Sequence, residues 1–105
     1  MDFKQAFLNV SSRIPTEDES VFKRLNRAYD IIKGTVQDNV YAIEGDSYTT
    51  YTIKKTHSSL FGEDTKYYVV NVEDKICTCP DFDTARSGLC KHRLAVMILM
   101  EMEKS

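Results

Sequence analysis

The sequence predicts an α+β fold in one domain, with helices at both ends of the chain and a three-stranded antiparallel sheet between them. The 105 residues are 42% apolar and 29% charged, which is typical of an ordinary globular domain. Apolar residues recur at helical spacing before residue 36 and after residue 90, whereas β-branched and aromatic residues dominate the middle. A chain of this length has room for one hydrophobic core.

Two helices are expected in an N-terminal extension, residues 1–35. In the first, Asp2 can cap a helix whose apolar positions follow the spacing i, i+3, i+4 and i+7. In the second, Thr16 and Glu19 have the spacing of a capping box, and Gly34 marks the end. The apolar stripes of the two helices are Phe3, Ala6, Phe7 and Val10, and Val21, Leu25, Ala28, Tyr29 and Ile32.

Three strands are expected at residues 39–43, 48–54 and 67–76. Gly45 and Asp46 supply the first turn, and residues 56–65 are expected to form a long loop. A last helix starts near Lys91 and is apolar on all sides over residues 94–100. Such a helix is either surrounded by its own domain or partly covered by a partner, and the group Met97, Met100 and Met102 leaves both alternatives open.

Charge and hydropathy exclude several classes of protein. The formal net charge of −2 is not that of a uniformly basic histone-like or ribosomal protein. The longest apolar run has seven residues, far fewer than the roughly 20 that a membrane-spanning helix needs, so no membrane segment is expected. The start of the chain lacks the basic and apolar regions of a secretory signal, and we expect an intracellular protein, cytoplasmic or nuclear.

The three cysteines all lie between positions 77 and 90, in the pattern Cys77-x-Cys79, ten residues, Cys90-x-His92. Three thiolates and an imidazole favour Zn²⁺, and four protein ligands close a tetrahedral structural site. The alternatives are three buried thiols beside an incidental histidine, or a redox pair of Cys77 and Cys79. A disulfide between those two would be strained and would leave Cys90 unpaired, whereas zinc uses all four side chains.

The spacing on each side of the site has a structural explanation. Residues i and i+2 of a strand face the same way, and Pro80 favours an extended Cys79. Residues two apart on a helix lie about 200° apart, so Cys90 must precede the last helix and His92 must lie in its first turn. Gly88 gives the approaching loop freedom to bend. Folding is expected to depend on the metal.

The order Cys-x-Cys-Pro-Asp-Phe, a spacer, and Cys-Lys-His-x-x-Ala resembles the SWIM-type zinc finger, a ββα module. The resemblance covers about residues 48–100 and implies a zinc-binding module at 48–103. It implies that Cys77, Cys79, Cys90 and His92 hold one structural Zn²⁺. Ala95 matches an alanine of recombination-linked members. The first 40 residues carry no motif of the family.

The resemblance implies a non-enzymatic module that binds protein or DNA, because SWIM modules occur in chromatin remodellers, transposases, ubiquitin-pathway proteins and small partners of RecA-like recombinase paralogues. The first hypothesis is an accessory protein-binding subunit in DNA recombination, repair or transcription, with a RecA-like recombinase paralogue or a transcription component as partner. The alternative is a direct DNA-binding regulator, as a homodimer formed through the C-terminal helix.

Basic residues on one face would favour the DNA alternative, and their dispersal would favour a protein partner. Lys91 and Arg93 are the best candidates for phosphate contacts because zinc would fix their backbone at a helix start. Lys54 and Lys55 are further candidates. The full set of proposed nucleic-acid contacts is Lys23, Arg24, Arg27, Arg86, Lys91 and Arg93.

Other chemistry-bearing residues have simpler explanations. Tyrosines in the strands either stack on bases or, more commonly, pack within the sheet: Tyr41, Tyr48, Tyr51, Tyr67 and Tyr68. Asp81 and Asp83 are expected as ordinary turn residues. His57 lies in the expected loop beside Ser58 and Ser59, without a nucleophile motif. The sequence has no glycine-rich phosphate loop, and no enzymatic activity is expected.

Overall fold

A computed structural model of the chain describes residues 2–38, 41–47, 49–59, 62–85 and 88–104. It confirms the α+β fold, with a fourth strand in place of the three expected. The sheet is an antiparallel meander in the order β1-β2-β3-β4. The elements are α1 (Phe3–Ser11), α2 (Glu19–Lys33), β1 (Tyr41–Gly45), β2 (Thr50–Ser59), β3 (Gly62–Asn71), β4 (Ile76–Cys77), α3 (Pro80–Thr84) and α4 (Lys91–Glu103).

The first helix begins as the sequence predicts. The Asp2 carboxylate accepts a hydrogen bond of 2.8 Å from the Gln5 amide, which confirms it as the N-cap. Ala6 and Val10 are fully buried. The rings of Phe3 and Phe7 lie 5.6 and 4.9 Å from the ring of Tyr29 in α2. Aromatic contacts of this kind fix α1 against α2.

The predicted start of the second helix was wrong. Its N-cap is Asp18, whose carboxylate accepts a 2.9 Å hydrogen bond from the Ser20 amide, and not Thr16. Glu19 is the first helical residue, whereas a capping box with Thr16 would need it at the third helical position. The helix ends before Gly34, and a π-helical turn follows at Gly34–Asp38. Glycine is needed there because a Cβ would lie 2.8 Å from the ring of Tyr41.

The expected loop at 56–65 is instead the far part of a long hairpin. β2 continues to Ser59 and β3 begins at Gly62, and these two residues pair with each other. Serine, glycine and acidic residues have low strand propensity, which is why a loop was expected here. The two strands nevertheless form backbone hydrogen bonds with each other, and these do not depend on the residue types. His57, Ser58 and Ser59 therefore lie in β2 and not in a loop.

The third predicted strand, 67–76, is divided by a turn. β3 ends at Asn71, whose side-chain oxygen accepts hydrogen bonds of 3.0 and 2.9 Å from the amides of Glu73 and Asp74. Lys75 adopts a left-handed backbone conformation with φ of 59°. An asparagine that bonds to backbone amides two and three residues later favours a turn over a continuing strand. The turn creates β4, which carries Cys77.

The last helix is the centre of the core. Leu94, Ala95, Val96 and Ile98 are fully buried against α1, α2 and the sheet. Of the two alternatives for this apolar helix, the domain itself covers most of it, while Met97, Met100 and Met102 are partly buried. None of the described helices is long and apolar enough to cross a membrane.

A polar network closes the far end of α4. The carboxylate of Glu101 lies 2.9 Å from Arg13 and 3.4 Å from Lys104, and it also accepts a hydrogen bond from Asn9. Burial acts to raise the pKa of Glu101, but the hydrogen bond from Lys104 and the charge of Arg13 outweigh it and keep the pKa below its ordinary value. The network ties the end of α1 to the end of α4.

The packing of the helices predicts a stability difference between two leucines. Leu25 of α2 is 1% exposed, so we expect Leu25→Ala to lower the free energy of unfolding by about 2–5 kcal/mol through a cavity in the core. Leu8 of α1 is 57% exposed, and Leu8→Ala should change it by less than about 0.5 kcal/mol. Urea unfolding of the zinc-loaded proteins measures both. Equal losses would contradict this packing.

Candidate metal centre

Three elements meet at the four candidate metal ligands. Cys77 ends β4, Cys79 is the residue before α3, Cys90 is the N-cap of α4, and His92 lies in the first turn of α4. All four residues are buried, and their potential ligand atoms lie within 4.8 Å of one another. The positions of Cys90 and His92 agree with those that the helical geometry predicts.

The two cysteines of the first pair are held by the edge of the sheet. Cys77 pairs with Val70, and Thr78 continues the ladder because its amide donates to the Val69 carbonyl at 3.1 Å. The Val69 amide in turn donates to the Thr78 hydroxyl at 2.9 Å. Cys79 is extended, with φ of −73° and ψ of 151°, as expected for a residue before proline. Both thiols can therefore face one ion.

The segment after Cys79 differs from the prediction. Asp81 and Asp83 were expected in a turn, but they lie in α3, a five-residue helix. Pro80 is compatible with a helix here because it occupies the first helical position, where the missing amide is not needed. Acidic residues in a first helical turn also interact favourably with the helix dipole.

The second pair is held by a bend and a helix start. Gly88 has φ of 70°, a conformation that suits glycine, and its carbonyl accepts a hydrogen bond from the Arg93 guanidinium. The Cys90 sulfur accepts a 3.5 Å hydrogen bond from the Arg93 amide, so it takes the place of an N-cap oxygen. The positive end of a helix stabilises a thiolate at this position.

The three thiols differ in acidity. The hydrogen bond from Cys77 is the main reason that the pKa of Cys90 falls to about 4, and the Arg93 amide adds to the effect. That hydrogen bond, together with burial, raises the pKa of Cys77. Burial raises the pKa of Cys79. The three thiols therefore ionise unequally without a metal, and a bound cation favours the thiolate form of all three.

His92 has the environment of a metal ligand. Its Nδ1 atom is buried and has no hydrogen-bond partner within the described part of the chain, which is costly unless a metal binds there. The Tyr68 ring stacks on the imidazole, with ring centroids 4.2 Å apart and planes inclined by 25°. Tyr68 thus fixes the orientation of the ring. No pattern in the sequence predicts this contact, since the alternation of strand tyrosines does not show which of them meets the histidine.

The donor set and the burial of the cluster fit one structural Zn²⁺. Residues 68–100 match the family model of the SWIM zinc finger. These residues are a SWIM zinc finger by this comparison. All four clustered residues lie inside the match, and so does Tyr68. No curated protein and no solved structure matches the chain. The wider module boundaries of 48–103 and the N-terminal extension at 1–35 stay predictions.

The residues proposed to contact nucleic acid form two overlapping groups, with Arg24 in both. Arg24 donates two hydrogen bonds of 2.9 and 3.0 Å to Asp81, and its side chain is only 14% exposed. Arg93 is held by the Gly88 carbonyl. Lys23 forms an exposed ion pair of 3.3 Å with Glu19. These side chains have partners within the protein, and their role in DNA contact stays a prediction.

A second group surrounds Asp81. Hydrogen bonds from Arg24 lower the pKa of Asp81, and the charges of Lys91 and Arg27 lower it further, so these bases lie near one carboxylate. The Arg24–Asp81 ion pair joins α2 to the SWIM finger, a contact that the sequence analysis did not find. Arg86 lies outside the described residues.

The tyrosines follow the packing alternative where the structure describes it. Tyr41, Tyr51 and Tyr68 pack against the core. Tyr67 is 59% exposed, on the opposite face of the sheet. Tyr48 lies outside the described residues. The cross-strand neighbours of Tyr41 and Tyr67 include lysines whose ammonium groups lie 5.5 and 5.8 Å from the ring centres, namely Lys55 and Lys54.

The ligand set predicts the coordination of the metal. X-ray absorption of the purified protein should show one zinc per chain with three sulfur ligands at about 2.3 Å and one nitrogen at about 2.0–2.1 Å. Cys79→Ser should remove one sulfur, whereas Thr78→Ser, at the neighbouring position that is not a ligand, should leave the spectrum unchanged. An oxygen ligand that exchanges with added anions in the unchanged protein would contradict a closed site.

The acidity of the thiols predicts how zinc binding depends on pH. Cys77 and Cys79 have raised pKa values and Cys90 a lowered one, so zinc binding at pH 7 should release about two protons. The affinity should then fall about a hundredfold per unit as pH decreases near neutrality. Calorimetry in buffers of different ionisation enthalpy measures the release. Zinc binding without proton release would contradict thiol ligation.

Proposed function

We propose that this chain is a non-enzymatic interaction module in which structural zinc holds a protein-binding surface in shape. The observation that carries this proposal is the closed set of four buried donors, which leaves zinc no position for a substrate or an activated water. A catalytic zinc keeps such a position open. Because the metal is enclosed, we propose that the function is performed by surface residues of the domain that contact a partner.

The hydrogen bonds that two arginines form within the protein favour a protein partner over DNA. Arg24 and Arg93 are engaged by Asp81 and by the Gly88 carbonyl, so contact with a phosphate would have to break existing hydrogen bonds. Acidic groups lie among the bases, as the pair of Lys23 with Glu19 illustrates. A surface of mixed charge is a weak attractor for a polyanion.

A direct DNA-binding regulator is the second candidate. The observation that favours it is the grouping of Arg24, Arg27 and Lys91 around Asp81, at the junction of α2 and the SWIM finger. Arg27 and Lys91 remain as cations that could meet a phosphate backbone there. In this alternative the partly buried Met100 and Met102 of α4 would form a homodimer contact.

The cellular setting that we propose is DNA recombination, repair or transcription inside the cell, with this chain as an accessory subunit. A RecA-like recombinase paralogue or a transcription component would be its partner. The support is the SWIM finger itself, together with Ala95, which follows His92 by three residues as in recombination-linked members.

Two binding measurements test the proposal. Fluorescence anisotropy with labelled single- and double-stranded DNA should show no binding by the zinc-loaded chain at physiological salt. Arg27→Glu with Lys91→Glu leaves the Arg24–Asp81 and Arg93–Gly88 contacts in place, and Lys4→Glu with Lys33→Glu is a control of equal charge on exposed sites. Salt-sensitive DNA binding that the first pair weakens by about tenfold or more, and the control pair does not, would favour the DNA regulator.

The second measurement uses the chain as bait in native extract. We expect zinc-loaded protein to retain a partner protein that competes with free zinc-loaded chain, and we expect the chelated protein to lose it. Retention that is equal with and without zinc would contradict the proposal, because zinc would then have no part in shaping the surface.

A further inference from the structure

We propose that the open edge of β3, at residues 65–67, binds an extended acidic segment of a partner protein, which joins the sheet as an added strand. The inference rests on the proposed protein-binding function and specifies the chemistry of the partner. Three observations on the described residues carry it: backbone groups of β3 with no partner among them, exposed apolar side chains, and lysines that form no ion pair with a described acid.

The first observation is the short length of β4. Its two residues pair only with Val70 and Asn71, and Thr78 adds one further step opposite Val69. In an antiparallel ladder, alternate residues direct their backbone N–H and C=O groups toward the same neighbour. Because Val69 directs both groups toward Thr78, Thr65 and Tyr67 direct theirs to the same side, beyond the end of β4.

The chain turns away at that point, since Cys79 already leads into α3. Among the described residues, no backbone group pairs with this side of Thr65 or Tyr67. Open strand edges of this kind attract further strands, and proteins usually cover or block them. Peptide recognition by strand addition uses such an edge, with the backbone for affinity and alternate side chains for specificity.

The second observation is an apolar strip on the outer face of the sheet, which reaches this edge at Tyr67. Tyr67, Val69 and Ile76 are 59, 37 and 49% exposed. Tyr67 and Val69 share one face of β3, and Ile76 lies on the same face because it pairs with Asn71. Tyr67 borders the open edge, so the side chain of an added strand beside it would extend this strip.

The third observation is the charge on the strands. Lys66 of β3 lies directly opposite Lys55 of β2, and like charges in this arrangement destabilise a sheet. Lys54 lies opposite Tyr67, with its ammonium group 5.8 Å from the ring centre. None of these three lysines forms an ion pair with an acid in the described parts of the chain. Carboxylates of a partner would relieve the repulsion.

The same observations indicate where the carboxylates belong. Lys55 and Lys66 lie on the face opposite to the apolar strip, so a matching strand alternates apolar and acidic residues. Glu63 and Asp64 lie nearer the start of β3 at Gly62. A single-stranded nucleic acid would use Tyr67 and the lysines but would leave the backbone edge unpaired, and for this reason a peptide is the better match.

The test uses the zinc-loaded full chain and a synthetic peptide in which valine and glutamate alternate. Nuclear magnetic resonance should show that this peptide shifts the amide signals of Thr65 and Tyr67 and slows their exchange with solvent. A peptide in which lysine replaces each glutamate should bind at least about tenfold more weakly, because it repeats the charge of Lys55 and Lys66.

Two substitutions, at Thr65 and at Lys66, distinguish the contribution of the backbone edge to peptide binding from that of the lysine charge. Thr65→Pro removes an amide that faces the open edge and leaves the pairing of β2 with β3 in place, so we expect about tenfold weaker binding. Thr65→Val keeps the amide and should bind as the original chain does. Lys66→Glu should make the protein bind the valine–lysine peptide more tightly than the valine–glutamate peptide. This variant tests the edge proposal even if Thr65→Pro does not fold.

Four outcomes would overturn the edge proposal. They are absence of binding by the valine–glutamate peptide, signal shifts confined to α1 or α4, an unchanged preference in Lys66→Glu, and perturbation of the edge by oligothymidine but not by the peptide. Each of them leaves the zinc-dependent retention of a partner protein untouched. Failure of the edge proposal is therefore distinguishable from failure of the proposed function.

Discussion

The structure depends on the convergence of four metal-binding side chains at one point in the core. The elements that carry them are weak by themselves. β4 has two residues and α3 has five, and neither is long enough to be stable without tertiary support. A zinc ion held by Cys77, Cys79, Cys90 and His92 would join the end of the sheet to the start of α4 and so fix the position of the central helix.

The rest of the fold follows from where α4 begins. Its apolar residues are surrounded by α1, α2 and the sheet, and its far end is tied to α1 by Glu101 and Arg13. The Arg24–Asp81 ion pair connects α2 to the short helix that follows Cys79. The N-terminal helices thus complete the core around the SWIM finger, and loss of the metal should disturb contacts far from the ligands.

The metal centre could be predicted from the sequence because its geometry is local. A pair of ligands two positions apart has few possible arrangements on a strand or at the start of a helix. The spacing alone therefore predicts Cys90 before α4 and His92 within it. The end helices were predictable for a similar reason, since their apolar periodicity extends over several turns. Asp2 was recognisable as a cap because it directly precedes the pattern.

Most of the errors concern contacts that exist only once the chain has paired and packed. The hairpin of β2 and β3 is held by mutual pairing, which the composition of residues 56–65 does not reveal. The stacking of Tyr68 on His92 and the Arg24–Asp81 pair exist only after the chain has folded. The Asp18 cap was missed for a different reason, because Thr16, Asp18 and Glu19 offer competing starts and their order alone does not rank them.

Amide hydrogen exchange with and without zinc tests the central claim most directly. If the metal holds the whole fold, chelation should abolish the slow exchange of buried amides in α2, at Leu25 and Ile31, as well as in α4. Re-addition of zinc should restore it. If the α2 amides stay protected while only the residues around Cys77 and Cys90 exchange, the N-terminal helices fold independently of the metal and the account is wrong.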